Sequence, residues 1–263
     1  MSQDLAIGVD IGGTGIKAAL VDVRTGTLVS DRLKVATPRG GEPKDILSCT
    51  RQLVHDLGAT GNEPVGVAFP SIIRNGHTLL AANISDAWLN LHAEKLFERG
   101  LGRPISFVND ADAAGLAEVR YGAAKNQDGL VIMTTLGTGI GGAFIYKGIL
   151  IPNMELGHLE IDGHDAESRA SNAVRERHHL SWKRWAKRLQ RYYSHLEMLF
   201  SPELIIVGGG VSKYADEFLP LLRLRTPIVP ATLKNNAGIL GAAVLAWEAN
   251  GSTDTPGSVS ASA

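Results

Sequence analysis

The chain has 263 residues, of which 44% are hydrophobic and 20% charged, a composition typical of a globular protein with a substantial core. Its 26 basic and 27 acidic residues nearly balance, so general attraction to nucleic acid or to a membrane surface is not expected, and no apolar run approaches the ~20 residues of a membrane span. Cys49 has no second cysteine to pair with and the N-terminus lacks the pattern of a signal peptide, so we expect a cytoplasmic protein.

The first third of the chain predicts a meander followed by alternating helices and strands. Strand-like runs at 5–11, 16–23 and 27–35 are joined by short turns that contain glycine. Pro43 fits the first turn of a helix that continues to about Leu57, and a buried strand at 65–69 stops at Pro70. This order predicts an α/β protein.

The rest of the chain repeats that pattern. Further strands are predicted at 105–108, 130–135, 143–146 and 204–207, and helices at 110–121, 181–200, 213–222 and 237–249. Residues 251–263, rich in Ser, Thr and Gly, predict a disordered tail. Because a strand, a glycine loop and a second strand occur in each half, we interpret the chain as a duplicated half with one loop from each half facing a central cleft.

Two glycine-threonine loops lie between predicted strands, at 10–17 and 136–142. Glycine permits a positive φ and a close approach to an anion, while backbone N–H groups and a threonine hydroxyl donate to phosphate oxygens. A pair of ordinary tight turns is the alternative. We predict a phosphate clamp formed by Gly12, Gly13, Thr14, Gly137, Thr138 and Gly139.

A polar pair, Asn109 and Asp110, stands where a predicted strand meets a predicted helix. One interpretation is a helix N-cap. The functional interpretation is that Asp110 is a general base for an attacking alcohol, worth about 10²- to 10⁴-fold in rate, with Asn109 orienting a neighbouring hydroxyl.

Glu155 and His158 are three residues apart, which places them on one face if the segment is helical. A metal site is the weaker interpretation, because zinc prefers several Cys or His ligands and Cys49 is far away in the sequence. We favour hydrogen bonds to a polyol, since Glu accepts from adjacent hydroxyls and neutral His both accepts and donates.

Taken together, these motifs resemble those of the ROK family of sugar kinases and repressors. Within it, the chain is most similar to polyphosphate/ATP-dependent glucokinases and glucomannokinases, from Ile7 to about Trp247. The matching segments are 10–14, 109–110, 136–139, 155–158 and the glycine turn 208–211. The resemblance implies two ribonuclease-H-like domains of the actin and hexokinase type flanking a central cleft, with an N-terminal domain of 1–108 joined by helix 237–250 and a C-terminal domain of 109–236.

The resemblance also implies roles for single residues. Asn83, Asn109, Glu155, His158 and Glu167 would hold the sugar, and Asp110 would take the proton of its 6-hydroxyl. Gly208, Gly209 and Gly210 would lie beside the nucleotide, Lys17 would support the phosphates, and Asp10 would reach Mg²⁺ through water with no direct protein ligand.

The chain departs from the family pattern in two places. Relatives usually carry a cysteine-rich zinc loop after the Glu-x-Gly-His segment, whereas residues 163–171 are short and free of cysteine. We therefore expect no structural zinc, with Glu167 keeping the family's sugar contact. Ser71 stands where many relatives have glycine, a difference that we expect to affect the choice between glucose and mannose.

A basic amphipathic helix is predicted from Ser181 to Phe200. Its cations share an arc of roughly 140° away from the apolar stripe, at about 100° per residue. They are Lys183, Arg184, Lys187, Arg188 and Arg191, with Arg175 and Arg177 nearby. No acid lies between Ser181 and His195, so the cations would repel one another unless acids elsewhere in the fold pair with them. We predict that this basic face guides polyphosphate to the clamp.

The leading function is transfer of a phosphoryl group from polyphosphate or ATP to the 6-hydroxyl of glucose, and of mannose. An ATP-only hexokinase of the same family is the alternative. A sugar-responsive repressor would need an added DNA-binding segment, and the first strand begins by Leu5. An actin-like ATPase has no reason to keep the sugar-binding set. No nucleic acid or membrane partner is expected, and a homodimer, common among relatives, is left open.

Overall fold

The structure, a computed structural model, describes residues 4–58, 61–80 and 84–251. The predicted sugar contact Asn83 and nearly all of the predicted tail lie outside the described residues. Within the described part of the chain, no helix is both long and apolar enough to cross a membrane.

The N-terminal half forms a mixed sheet that we call the N-terminal lobe. Its strands are β1 (Leu5–Ile11), β2 (Ile16–Asp22), β3 (Thr27–Leu28), β4 (Leu33–Val35), β5 (Val65–Phe69) and β8 (Ile105–Asn109). Helices α1 (Pro43–Asp56) and α2 (Ala93–Leu101) and a small hairpin of β6 (Ile73–Arg74) and β7 (His77–Thr78) complete the lobe. The strand order is β3-β2-β1-β5-β8, with β4 also on β2; β1 and β2 are antiparallel, and β1, β5 and β8 are parallel.

The C-terminal half repeats this sheet. Helix α3 (Asp110–Tyr121) leads into β9 (Leu130–Leu136), β10 (Ile140–Tyr146) and β11 (Ile149–Ile151). There follow a hairpin of β12 (Glu160–Ile161) and β13 (His164–Asp165), then α4 (Glu167–Ala170), α5 (Asn172–Arg177), α6 (Trp182–Phe200), β14 (Leu204–Gly208), α7 (Ala215–Phe218), β15 (Ile228–Pro230) and α8 (Ala237–Gly251). The order β11-β10-β9-β14-β15 has the same strand directions as the first sheet, so the predicted α/β class and duplicated half are confirmed.

Two helices lie between the sheets and join them. Helix α8 packs on β1 and β5, α3 packs on β9 and β10, and the two helices pack on each other. Backbones approach closely here: a Cβ at Gly66 would meet the carbonyl of Ala242, and one at Gly241 would meet the carbonyl of Ala113. One apolar cluster therefore runs from the N-terminal sheet through both helices to the C-terminal sheet, and it fixes the two glycine loops relative to each other.

Three predicted boundaries were wrong. The strand at 27–35 is broken into β3 and β4, because the Ser30 hydroxyl takes the place of a backbone carbonyl as acceptor of the Leu20 N–H (3.0 Å). The helix at 213–222 is a 3₁₀ turn, one turn of α-helix and a second 3₁₀ turn at Pro220, which has no N–H to continue a helix. Strand β10 begins at Ile140, and its Gly141 pairs with Thr135, so these glycines belong to the sheet.

Candidate active site

A cleft of about 880 Å³ lies at the ends of the two sheets. It brings together residues from distant parts of the chain, namely Asp10, Gly12, Gly13, Asn109, Asp110, Gly137, Thr138, Gly139, Glu155, His158, Glu167, Gly208, Gly209 and Gly210. Thr14 and Lys17 are predicted phosphate-binding residues that are not part of this lining. The first is exposed beside it, and the second reaches the cleft only through its partner, Asp10.

The first loop is the turn of the β1–β2 hairpin. The Gly12 N–H donates to the Gly15 carbonyl (3.0 Å), and the Thr37 hydroxyl donates to the Gly12 carbonyl (2.5 Å). Lys17 Nζ lies 2.7 Å from Asp10 Oδ2. This ion pair fixes the Asp10 carboxylate at the cleft, a role for Lys17 that the sequence did not predict.

The second loop is the matching turn between β9 and β10. The Gly137 N–H donates to the Gly139 carbonyl, and the Ala173 N–H donates to the Gly137 carbonyl, both at 3.0 Å. Neither loop uses a glycine with positive φ, so that reason for the glycines was wrong. Space requires glycine at position 139, where a Cβ would collide with the Glu167 carboxylate, whereas a Cβ at Gly13 or Gly137 would meet no atom within 4 Å. The bare backbone of Gly13 and Gly137 leaves room for phosphate oxygens.

Asn109 ends β8 and caps α3. Its Oδ1 accepts from the N–H groups of Ala111 (2.8 Å) and Asp112 (3.1 Å), and its Nδ2 donates to the Ser71 carbonyl (3.0 Å). The N-cap interpretation therefore describes Asn109. Its amide also ties the Ser71 loop to the start of α3, and its contact with a sugar stays a prediction.

Asp110 is the first residue of α3 and faces the cleft. Burial and, after it, the carboxylates of Asp10 and Glu155 together raise the pKa of its carboxyl to about 7, although the Ala111 N–H (2.8 Å) opposes this shift. A carboxyl with a pKa near the working pH is well matched to accept a proton and release it again. Asp110 is thus the group of this cleft best suited to act as a general base.

A wall of three polar side chains faces Asp110. His158 ends a 3₁₀ turn at Leu156–His158, and its Nδ1 lies 2.7 Å from Asp165 Oδ2. This hydrogen bond raises the pKa of His158 and leaves Nε2 as the other polar atom of the ring. Burial raises the pKa of Glu155, the second member of the wall. The sequence predicted no role for Asp165, because a pairing through a hairpin leaves no spacing signal.

Glu167, the third member, lies between the two halves of the site. One oxygen, Oε2, accepts from the Ile140 N–H at the end of the second loop (3.0 Å), and a Cβ at Gly157 would lie 3.1 Å from the same oxygen. The carboxylate therefore contacts both the phosphate loop and the Glu155–His158 segment. Glu167 also lines the cleft.

The carboxylates of the cleft form two sets that a metal ion could approach. His158, Asp165 and Glu167 place one ligand atom each within 4.8 Å of the others, and all three side chains also form the internal hydrogen bonds described above. Magnesium favours one or two carboxylates together with donor phosphates and water, and Asp10 and Asp110 lie at the same end of the cleft as the two loops. The chemistry of this donor set fits Mg²⁺ carried on a phosphate chain.

The glycine turn after β14 forms the far end of the cleft. Gly209 has φ +82°, and a Cβ there would collide with the Leu136 backbone, so this position needs glycine for two reasons. Further residues that the sequence did not predict also line the cleft: Ser212, Lys213, Lys234, Asn235 and Gly238. Lys213 and Lys234 add positive charge where the donor would extend.

Ser71 does not present its hydroxyl to the cleft. Its Oγ donates to the Leu80 carbonyl (2.8 Å) and accepts from the Leu80 N–H (3.1 Å), and the residue is 4% exposed. The hydroxyl closes the 71–80 loop on itself. Any effect of Ser71 on sugar selectivity would act through the shape of that loop.

The cations of the predicted basic face differ in whether they have partners in the fold. Arg191 forms two hydrogen bonds with Asp162 (2.7 and 2.9 Å), and Arg188 donates to the Arg169 carbonyl (3.0 Å). Pairing with an acid elsewhere in the fold, the alternative considered for this helix, therefore holds for Arg191. Lys183, Arg184 and Lys187 are exposed, and among the described residues no ion pair involves them.

Near the start of the same helix, cations alternate with rings. The Arg175 guanidinium lies 4.1 Å from the centroid of a Trp182 ring, and Trp182 packs on Tyr214 at 5.5 Å. Lys213 lies over Tyr214 (4.8 Å) and also lines the cleft. The first turn of α6 is therefore linked to the donor end of the cleft.

Known proteins resemble this chain in sequence and in structure. The chain is 45% identical over 244 residues to the polyphosphate glucokinase of Mycobacterium tuberculosis, covering 92% of this chain and 91% of the relative. Its structure is similar to the inorganic polyphosphate/ATP-glucomannokinase of Arthrobacter sp. strain KM, with a TM-score of 0.88, 55% identity and coverage of 92% and 97%. It is also similar to a ROK family glucokinase from Streptomyces griseus in complex with glucose and AMPPNP, with a TM-score of 0.79, 27% identity and coverage of 92% and 99%. The ROK family model matches residues 6–171, and the chain belongs to the ROK family, with the two-domain fold of the actin and hexokinase type.

Proposed function

We propose that this chain is a polyphosphate/ATP-dependent glucokinase that transfers a terminal phosphoryl group to the 6-hydroxyl of glucose, and also of mannose. The observation that carries the proposal is that one cleft is lined by Asp110, by both glycine loops and by Glu155, His158 and Glu167. The names of the polyphosphate glucokinase and glucomannokinase relatives support both the acceptor and the donor.

The acceptor half of the mechanism rests on hydrogen bonds. Glu155, the free Nε2 of His158 and Glu167 bind the ring hydroxyls and leave the 6-hydroxyl directed at Asp110, with Asn109 and Asn83 as further proposed contacts. Asp110 accepts the hydroxyl proton as the oxygen attacks the phosphorus atom. Because this transfer involves little covalent chemistry by the protein, orientation supplies most of the rate.

The donor half rests on backbone N–H groups and cations. The two glycine loops, with Thr14 and Thr138, bind the terminal phosphates, and the glycine turn 208–210 receives the nucleotide when ATP is the donor. Asp10, held by Lys17, would take Mg²⁺ through water, and the ion would offset the negative charge of the phosphates. Phosphate–phosphate bonds are shared by ATP and polyphosphate, so one clamp serves both.

The experiment that tests this function measures hexose 6-phosphate formed by the purified protein from each pair of ATP or long-chain polyphosphate with glucose or mannose. We expect product with both donors and both sugars, and no product without sugar. Product with ATP alone would favour the ATP-only hexokinase. Phosphate release that needs no sugar would favour an ATPase.

We further propose that the unpaired part of the basic face guides polyphosphate. Changing Lys183, Arg184 and Lys187 together to glutamine should raise the KM for polyphosphate roughly tenfold at low salt, at about 0.5 kcal/mol per exposed charge. The KM for ATP should change less than about twofold, and the difference should shrink as salt screens the charges. Steady-state kinetics at two salt concentrations provides the measurement.

The matched control changes Lys44, Arg51 and Lys125, three exposed cations outside α6, to glutamine, which removes the same net charge. This control should leave both donor KM values unchanged. Equal losses with ATP and polyphosphate in the α6 variant, or an equal polyphosphate loss in the control, would remove the basic face from this role.

Three predictions about organisation are also proposals. We infer a domain division at 1–108 with 237–250 and at 109–236, because α8 packs on the first sheet although it follows the second in the chain. Cytoplasmic location follows from the expected intracellular substrates. We also propose assembly as a homodimer, which a measurement of mass in solution tests.

A further inference from the structure

A chain of hydrogen bonds beside the sugar wall links the two lobes. Asp112, on the first turn of α3, accepts the Asn153 N–H on its Oδ2 (2.8 Å). The Asn153 side chain then bonds twice to the backbone of Ile73, its Oδ1 accepting from the N–H (2.9 Å) and its Nδ2 donating to the carbonyl (2.8 Å). We call these three residues the Asp112–Asn153–Ile73 bridge.

The bridge joins segments that belong to different lobes. Asn153 follows β11 of the C-terminal sheet, and Ile73 begins the β6–β7 hairpin of the N-terminal lobe. Asn153 has φ +63°, a conformation that asparagine tolerates better than most residues, and its amide satisfies both polar groups of one backbone residue. This two-point contact fixes both the distance and the relative orientation of the Asn153 and Ile73 segments.

Two members of the bridge, Asn153 and Ile73, lie two residues along the chain from residues of the cleft lining. Asn153 precedes Glu155 by two positions, and Ile73 follows Ser71, whose carbonyl accepts from Asn109. Together with the Asn109 cap, the bridge closes a ring of hydrogen bonds around the 71–73 loop, the start of α3 and the 153–155 loop. Each of these segments contributes to the cleft wall.

The anchor of the bridge is a buried carboxyl. Asp112 is 1% exposed, and its Oδ1 has no hydrogen-bond partner among the described residues. Burying a carboxyl with one of its two oxygens unpaired is costly. Holding the Asn153 backbone is the contact that this acid makes across the site.

We propose that Asn153, anchored by Asp112, is a positioning residue that sets the hexose subsite by holding the Glu155–His158 segment against the 71–73 loop. The proposal rests on the proposed hexose kinase function and assigns the bridge to the acceptor, not to the donor. The bridge does not touch the glycine loops or the turn at 208–210. Its loss should therefore weaken sugar binding and leave donor binding intact.

The test replaces Asn153 by glycine, which removes the side chain and keeps the left-handed backbone free of strain. We expect the KM for glucose to rise about tenfold or more, in line with two lost hydrogen bonds, while the KM for ATP changes less than twofold. Asn126→Gly is the matched control, because Asn126 also has positive φ (70°) but is exposed and outside the cleft. It should leave both KM values unchanged.

A second variant tests the anchor. Asp112→Ala should raise the KM for glucose as well. The glucose KM of the double variant with Asn153→Gly should not exceed that of the more impaired single variant, because both changes break one chain of contacts. A double variant whose fold-increase in the KM for glucose equals the product of the two single increases would contradict the bridge. If Asp112→Ala does not fold, Asn153→Gly still decides the question.

The possible results distinguish this proposal from the proposed hexose kinase function on which it rests. A wild-type protein that phosphorylates no hexose would overturn the proposed function. An active wild type whose Asn153→Gly variant keeps its glucose KM, or loses ATP and glucose affinity equally, would overturn the bridge alone. A selective loss for glucose with an unchanged thermal midpoint would support it.

Discussion

Replacing Asp110 by asparagine should lower kcat by about 10²- to 10⁴-fold, the usual contribution of a general base. The amide keeps the size of the side chain and its acceptor for the Ala111 N–H, but it cannot take a proton. Asn109 still caps α3, so the helix start should hold its position. Glucose binding measured by calorimetry should change less than about threefold, since the wall of Glu155, His158 and Glu167 is untouched.

The control for this variant is Asp128→Asn, which removes an exposed carboxylate that is not part of the cleft lining. Its turnover should match that of the wild type. Turnover of Asp110→Asn within about threefold of wild type would remove Asp110 from catalysis. Loss of glucose binding in the same variant would assign Asp110 to binding instead.

The second large effect concerns pH, and activity and stability should respond in opposite directions. Burial raises the pKa values of Asp110 and its neighbour Asp112 to about 7 each, and the two carboxyls are coupled, so they titrate as a pair. The base works as a carboxylate. With saturating donor, kcat/KM for glucose should therefore rise with pH through about 7 and fall roughly tenfold per unit well below it.

The free energy of unfolding should fall as the pH rises over the same pH range. An unfolded Asp loses its proton near pH 4, whereas the folded carboxyls keep theirs to about 7, so between these values the folded state binds more protons and the free energy of unfolding falls as pH rises. Asparagine cannot ionise. Asp110→Asn should thus be more stable than wild type above pH 7, by about 1–3 kcal/mol once partial solvent access to the cleft is considered.

Urea unfolding of the wild type and of Asp110→Asn at pH 5 and pH 8.5 provides the measurement. The stability gain should be small at the lower pH and full at the higher one. A gain that does not depend on pH would mean that shape, not charge, sets the difference. A destabilised variant at pH 8.5 would contradict the raised pKa of this carboxyl.

Features with a local pattern could be predicted from the sequence. The hairpins that carry Gly12 and Gly137 are marked by β-branched runs on either side of glycine, and the Asn109–Asp110 junction is marked by a strand that ends in polar residues. The duplicated sheet followed from finding the same unit twice. These features can be predicted because the position that needs a particular backbone conformation is also the position that carries the characteristic residue.

Contacts between distant segments could not be predicted in the same way. Lys17 pairs with Asp10 across a hairpin register, Asp165 reaches His158 through a second hairpin, and Asn153 reaches Ile73 from another lobe. Each depends on how sheets and loops pack, which has no fixed spacing in the chain. The basic arc of α6 was visible from its period, but the acid that pairs with Arg191 comes from the β12–β13 turn and was not.

The central claim is that one cleft holds a hexose with its 6-hydroxyl on Asp110 and its other hydroxyls on the facing wall. A crystal structure of the protein with bound glucose tests this most directly. The account predicts the 6-hydroxyl oxygen within about 3.2 Å of an Asp110 carboxylate oxygen, and ring hydroxyls in hydrogen-bond contact with Glu155, His158 and Glu167. Glucose bound elsewhere, or bound in this cleft with its 6-hydroxyl directed away from Asp110, would contradict it.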